Sequence, residues 1–142
     1  MKIFFIAIGA VVLLVIASTL ILPAPKAIDP NDPNVVAING LHIHPTLAIY
    51  VKGVKQVLPA NLGIVGSSMT AVHTHEDLPI IHLEFSGIVR KKDVMLGEFF
   101  KSWGKDMRSF GANVKMTVNG EENAEYENYI MRDGDKIELR YD

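Results

Sequence analysis

The longest hydrophobic stretch of the chain lies at its start, where Ile3 to Leu22 is an almost unbroken apolar run. An α-helix of about 20 apolar residues is long enough to cross the hydrocarbon core of a bilayer. A cleaved signal peptide has a shorter apolar region. We therefore predict an uncleaved transmembrane anchor over residues 1–22. The thin flanking charge, with Lys2 before the run, favours a cytoplasmic N-terminus and a domain outside the cytoplasm.

Prolines mark the segment that follows the apolar run. Four of them, Pro23, Pro25, Pro30 and Pro33, lie between residues 23 and 34. Proline fixes φ and has no amide donor, so we predict an extended linker over residues 23–34. The remaining residues, 35–142, are enough for one domain with a modest core.

Alternating polar and apolar positions begin at Leu41, in LHIHPTLAIYV. They predict a strand, with Lys52-Gly53 as a hairpin turn into a second strand over Val54–Leu58. Pro45 cannot donate to a strand ladder, so this part of the strand belongs at an edge or begins after a bulge. The following PANLGIVGSSM segment has the composition of a loop.

Two further extended segments follow that loop. Ala71–His75 is short, and Ile80–Phe85 is a clearer strand. Because side chains alternate between the two faces of a strand, His82 and Glu84 share one face of this second segment. The opposite face is apolar and consists of Ile81, Leu83 and Phe85.

A change from alternating to helical spacing occurs after Asp93, which is placed to cap a helix. Four apolar residues then follow at helical intervals: Leu96, Phe99, Phe100 and Trp103. Gly104 is placed to end this helix in the left-handed conformation. We predict one amphipathic helix that packs against a sheet.

The C-terminal part of the chain again alternates. Val114–Val118 precedes an Asn119-Gly120 turn, and a final strand, IELRY, follows the turn Arg132–Asp135. These elements predict an α+β domain, a mixed sheet packed by one helix. From Leu41 to Tyr141 the arrangement resembles the β-grasp (ubiquitin-like) domains, most clearly in YIMRDGDKIELRY. Sulfur carriers of that fold end in Gly-Gly, whereas this chain ends in Tyr-Asp.

Composition narrows the chemistry available to the domain. The net charge is -2, which does not favour nucleic-acid binding, and the chain has no cysteine for a disulfide or a thiolate site. All five histidines lie between Leu41 and Glu84.

Four of these histidines form two His-x-His pairs. In an extended segment, residues two apart point to the same face, so each pair directs two imidazoles to one side. A lone histidine is more often a hydrogen-bonded or solvated residue, but two pairs and a fifth histidine favour a metal site. The predicted ligands are His42, His44, His73, His75 and His82. The predicted partners that orient these rings are Glu76, Asp77 and Glu84.

Imidazole ligands without thiolates favour copper or zinc. Glu76 as a general base on metal-bound water is the enzymatic alternative. We favour it less, because no substrate pocket is evident from the sequence.

The chain as a whole is similar to a group of small, secreted or membrane-anchored prokaryotic proteins. The shared motifs are HxH, PANxGI, HTH(D/E), IIHxE and LGxFFxxWG, found here at His42–His44, Pro59–Ile64, His73–Glu76, Ile80–Glu84 and Leu96–Gly104. The resemblance implies no particular activity, but it supports considering the five histidines together as one site. We expect a membrane-tethered extracytoplasmic protein that binds copper or zinc and handles or delivers it. The alternative is a structural accessory subunit of a larger membrane complex, bound to a protein partner and without metal chemistry.

Overall fold

The protein is an α+β domain, mostly sheet with one α-helix, in the computed structural model, which describes residues 29–142. The predicted anchor over residues 1–22 and the first part of the predicted linker, residues 23–28, lie outside the described residues. Among residues 29–142, no helix has both the length and the apolar character needed to span a bilayer.

The described part of the linker is turned, which corrects the prediction of an extended segment up to residue 34. The amides of Asn31 and Asn34 donate to the side chains of Asp29 and Asp32, at 2.8 and 2.9 Å. Asp32 also pairs with Arg90 at 3.4 Å. Short aspartate side chains favour such turns, because they offer the backbone a local acceptor. Asp32 thus contacts the domain, as does Asn34, whose carbonyl accepts the amide of Lys91 at 2.9 Å.

The described chain contains twelve strands and one α-helix. The strands are β1 (Val35–Ala37), β2 (Leu41–Ile43), β3 (Thr46–Val51), β4 (Val54–Lys55), β5 (Ile64–Val65), β6 (Ser68–Met69), β7 (Val72–His73), β8 (His82–Phe85), β9 (Val89–Arg90), β10 (Val114–Val118), β11 (Glu121–Glu122) and β12 (Lys136–Tyr141). The helix, α1, spans Leu96–Trp103, and 3-10 turns occur at Lys91–Val94, Met107–Phe110 and Tyr126–Asn128.

The main sheet has five strands in the order β11-β10-β12-β3-β4. The chain-terminal strand β12 lies parallel to β3, and the other neighbours are antiparallel. Alternate residues of the two parallel strands point into one core, which α1 also joins through Phe99 and Phe100. The predicted α+β class, a mixed sheet with one helix, is therefore confirmed.

Two of the three predicted turns close hairpins of this sheet. Lys52 and Gly53 have φ of 50° and 79°, and Asn119 and Gly120 have φ of 55° and 88°. The two-residue turn that best matches the twist of the strands needs a positive φ at both positions. Glycine adopts a positive φ readily, which explains the glycine at the second position. The predicted strand over 54–58 is shorter than expected and ends at Lys55.

A second, antiparallel sheet carries the histidines, with strand order β2-β8-β7. The single strand predicted over 41–51 is wrong, because the chain divides at His44 and Pro45 and β2 and β3 belong to different sheets. Proline supplies no donor here, and its carbonyl accepts the amide of Ile81 at 2.8 Å. The amide of His44 donates instead to Asp133 Oδ1 at 2.9 Å.

Two other local predictions need correction. The segment predicted as a loop over 59–69 contains the β5–β6 hairpin, which turns at Gly66 with φ 59°. Asp93 does not cap α1. Its side chain accepts the Arg90 amide at 2.8 Å across a 3-10 turn, and Met95 occupies the N-cap. Gly104 ends α1 with φ 67°, as predicted.

Candidate metal site

All five histidine rings meet around His82. Its ring centroid lies 4.9 Å from that of His44, 4.7 Å from that of His75 and 5.3 Å from that of His73. His42 joins the group through His44, at 4.6 Å. The extended segments at 41–44, 72–75 and 82–85 therefore bring their imidazoles to one place, as the spacing of the histidines predicts.

The nitrogen atoms form two groups of three that share one member. We call His42, His44 and His82 the outer triad, and His73, His75 and His82 the inner triad. Within each triad, one ligand atom per residue lies within 4.8 Å of the others. Nitrogens around a tetrahedral ion at about 2.0–2.1 Å are about 3.3 Å apart, so small side-chain rotations would bring either triad to bonding distance.

Exposure to solvent decreases from the outer triad to the inner one. The side chains of His42 and His44 are 59% and 40% exposed, whereas that of His82 is 11% exposed. His73 is completely buried. His75, the third member of the inner triad, is half-buried. An ion at the outer triad would therefore meet more solvent than an ion at the inner triad.

His73 is held in one tautomer by the backbone. Its Nδ1 lies 3.0 Å from the carbonyl oxygen of Thr70. A carbonyl only accepts, so Nδ1 carries the proton and Nε2 carries a lone pair. That Nε2 is buried and has no hydrogen-bond partner among the described residues. Burial lowers the pKa of His73, although the Thr70 carbonyl opposes the shift. A neutral imidazole with a free, buried nitrogen is prepared to bind a metal.

The Pro59–Ile64 loop braces the second histidine pair. The hydroxyl of the buried Thr74 donates to the Pro59 carbonyl at 2.7 Å and accepts the amide of Leu62 at 3.1 Å. Gly63, with φ 74°, has no room for a Cβ, which would clash with the Thr70 side chain and lie 2.9 Å from the Val72 carbonyl. The loop thereby fixes the backbone on both sides of His73.

Two of the three predicted partners, Asp77 and Glu84, contact a histidine ring through their carboxylates. His82 Nε2 lies 3.1 and 3.2 Å from the two carboxylate oxygens of Asp77. His42 Nε2 lies 2.9 Å from Glu84 Oε1, directly across the β2–β8 ladder. Each carboxylate accepts a hydrogen bond from an Nε2–H group. The lone pair of Nδ1 therefore remains available to bind an ion. The third predicted partner, Glu76, is exposed and has no hydrogen bond or ion pair with a histidine in the described chain.

Two residues beside the rings were not predicted as part of the site. Asp133 Oδ1 lies 3.7 Å from His44 Nδ1 and also accepts the amide of His44. Thr70 contributes only its backbone carbonyl to His73. Asp133 is 89 residues from His44 in sequence, and a carbonyl acceptor has no side-chain signature, so no local pattern indicated either one.

Comparison of the chain with protein-family models, with curated proteins and with solved structures gives no significant match. Function therefore has to be inferred from the residues of the site and their geometry.

Proposed function

We propose that the protein binds a copper or zinc ion through its histidine cluster and handles or delivers the ion rather than catalysing a reaction. The observation that carries the proposal is the buried, unpartnered Nε2 of His73, beside the rings of His75 and His82. Leaving such an atom without a partner costs about 1–3 kcal/mol, so a group that binds it stabilises the fold. A cation that accepts its lone pair meets that requirement.

The donor set supports copper or zinc over other ions. Imidazole nitrogen suits both metals, whereas magnesium and calcium prefer oxygen ligands. The described site offers nitrogen from every histidine of the chain, and the chain contains no cysteine. Carboxylate partners on His42 and His82 fix the orientation of those rings and would strengthen their bonds to a metal.

The exposure of the site supports handling over storage in a closed core. His42 and His44 open to solvent, so an ion can be exchanged with a partner protein or a small ligand. Glu76, the general base considered from the sequence, is exposed and has no hydrogen bond or ion pair with a histidine among the described residues.

Two further parts of the proposal concern architecture and location. The five-stranded sheet, with its parallel pair β3 and β12, supports a β-grasp-like domain. The apolar run from Ile3 to Leu22 supports a membrane anchor over residues 1–22, with the domain on the extracytoplasmic side.

An accessory subunit without metal chemistry is the second candidate. Three apolar side chains at or beside the β1–β9 ribbon favour it, since they are exposed and suited to a protein partner: Val36, Ile38 and Ile88.

The metal content of the full-length chain tests the proposal. The purified protein is first stripped of metal and then equilibrated separately with Zn²⁺ and with Cu²⁺. Excess metal is removed, and each sample is analysed for both elements. We expect stoichiometric metal in the wild type and in Lys115→Ala, an exposed position on the main sheet. Combining His73→Ala with His75→Ala should give less than stoichiometric metal, because only the outer triad remains. A wild-type protein that remains metal-free yet stably folded would exclude metal binding and leave the accessory role.

A further inference from the structure

The two triads depend on one ring, because His82 belongs to both. Asp77 lies 3.1 Å from Nε2 of that ring and accepts a hydrogen bond from its N–H group. Only Nδ1 then keeps a lone pair, and one lone pair forms one strong bond to a metal. Two ions bound at once would need His82 to lose both ring protons, and the Asp77 contact favours retention of one of them.

We propose that the cluster holds a single ion at a time, which moves between the outer and the inner triad while His82 stays bound to it. This inference rests on the proposed metal-binding function. The chemical class of the cargo is a borderline transition-metal ion, Zn²⁺ or copper. The outer triad is the loading position and the inner triad is the holding position.

The surroundings of the outer triad suit loading. Two of its ligands belong to it alone. The side chain of His42 is 59% exposed and that of His44 is 40% exposed. Glu84 and Asp133 stand beside them, at 2.9 and 3.7 Å, and their negative charge attracts an approaching cation. An ion there can keep water ligands, which a partner's ligand can later displace.

The surroundings of the inner triad suit holding. His73 is fully buried and offers a lone pair that nothing else in the described chain engages. Its backbone is fixed by the Pro59–Ile64 loop, so binding of an ion costs little conformational entropy at this residue. Dehydration also strengthens each metal–nitrogen interaction relative to the exposed position.

The rings around His82 are arranged for exchange of one ligand at a time. His44 and His75 each stand edge-on to the His82 ring, at 85° and 77°, with centroids 4.9 and 4.7 Å away. An ion bound to His82 can therefore lose His44 and gain His75 without leaving the protein. The step breaks one nitrogen–metal bond and forms another, with no change in the oxidation state of the ion.

Zn²⁺ binding by the full-length chain tests this. Stoichiometry is measured by equilibrium dialysis and elemental analysis, and release is measured as the rate of transfer to a coloured chelator. The compared proteins are the wild type, His82→Ala, the outer double variant His42→Ala/His44→Ala, and the inner variants His75→Ala and His73→Ala/His75→Ala. Lys115→Ala is the remote control, and circular dichroism checks the fold of each.

We expect one Zn²⁺ per wild-type chain. The outer variant should retain one ion with an affinity loss below about ten-fold and transfer it at least about ten-fold more slowly. The inner variants should bind at least about ten-fold more weakly and transfer faster, with His75→Ala informative even if the double variant fails to fold. His82→Ala should lose about 100-fold or more in affinity, because both positions lose a ligand.

The outcomes separate this inference from the function on which it rests. Two ions per wild-type chain, near-wild-type affinity in His82→Ala, or unchanged transfer in the outer variant would overturn the shared position while leaving metal binding intact. No Zn²⁺ bound by a folded wild-type chain would overturn both.

Discussion

His73 and His82 face each other across neighbouring antiparallel strands, with their rings stacked at 16° and their centroids 5.3 Å apart. One ring is anchored by a backbone carbonyl and the other by a carboxylate. The two rings are held by different contacts, so different substitutions affect them. Each substitution should have its own measurable effect.

Replacing Asp77 with asparagine should weaken metal binding. Asparagine can still accept the proton of His82 but carries no charge, so we expect an affinity loss of about ten-fold, the lower end for residues that support a ligand. Isothermal titration with Zn²⁺ measures the change. Glu76→Gln is the matched control, since it removes a neighbouring carboxylate that does not contact the rings. Equal losses in the two variants would mean that general charge, rather than the Asp77 contact, matters.

Adding a methyl group at Gly63 should destabilise the loop that braces His73. Gly63→Ala combines a positive φ of 74° with a Cβ that meets the Val72 carbonyl at 2.9 Å. We expect a loss of about 1–3 kcal/mol in the free energy of unfolding, measured by denaturant titration. Gly53→Ala is the control, because its φ of 79° is similar but nothing lies within 4 Å of the added group. If both variants lose the same stability, backbone strain alone explains the effect and the close packing does not contribute.

Acid should destabilise the metal-free protein through His73. Its pKa is lowered by burial in the folded state, whereas the unfolded chain takes up a proton near pH 6.5. The unfolded state therefore binds more protons as the pH falls, so stability is full above about pH 6.5 and decreases below it. Denaturant unfolding between pH 8 and pH 5 (about 0.5-unit steps) measures this. In His73→Gln the pH dependence should be smaller, and an unchanged slope would show that other groups cause it.

Alkali should destabilise the protein through two buried tyrosines. Burial raises the pKa of Tyr129 and of Tyr141 to about 12. The unfolded phenol ionises near pH 10, so stability is full below about pH 10 and is lost as the pH rises towards about 12. The loss is of order 2–3 kcal/mol per tyrosine. Urea unfolding and the absorbance of phenolate, followed together, measure it. Phenolate from more than two of the four tyrosines before unfolding would contradict the prediction.

Removal of the Asp133 side chain should affect the outer triad selectively. Asp133→Ala leaves the His44 amide without its 2.9 Å acceptor and removes the charge 3.7 Å from the ring. We expect slower Zn²⁺ transfer, by a few-fold, with little change in equilibrium affinity. Stopped-flow mixing with a chelator at low and at high salt measures this. The difference from wild type should shrink at high salt, because screening weakens exposed charges.

Local patterns predicted several elements of the fold and the segments that bring the histidines together. The helix around Phe99, the Asn119-Gly120 turn and the His-x-His pairs each depend on neighbours in sequence, so period and turn chemistry were sufficient. The division at Pro45 was not predicted, because alternation continues through it although the two halves enter different sheets. The contacts of His44 with Asp133, and of His73 with the Thr70 carbonyl, depend on tertiary placement and on backbone groups, which sequence patterns do not reveal.

The position of Asp133 has a thermodynamic consequence for the whole domain. It belongs to the turn that leads into β12, the strand that lies between β10 and β3. An ion bound at the outer triad is therefore linked through His44 and Asp133 to the central strands, the part of the fold expected to open last. Binding of the ion should then protect the domain from hydrogen exchange as one cooperative unit. Slowly exchanging amides of the central strands should then report the presence of bound cation as sensitively as those of the histidine sheet.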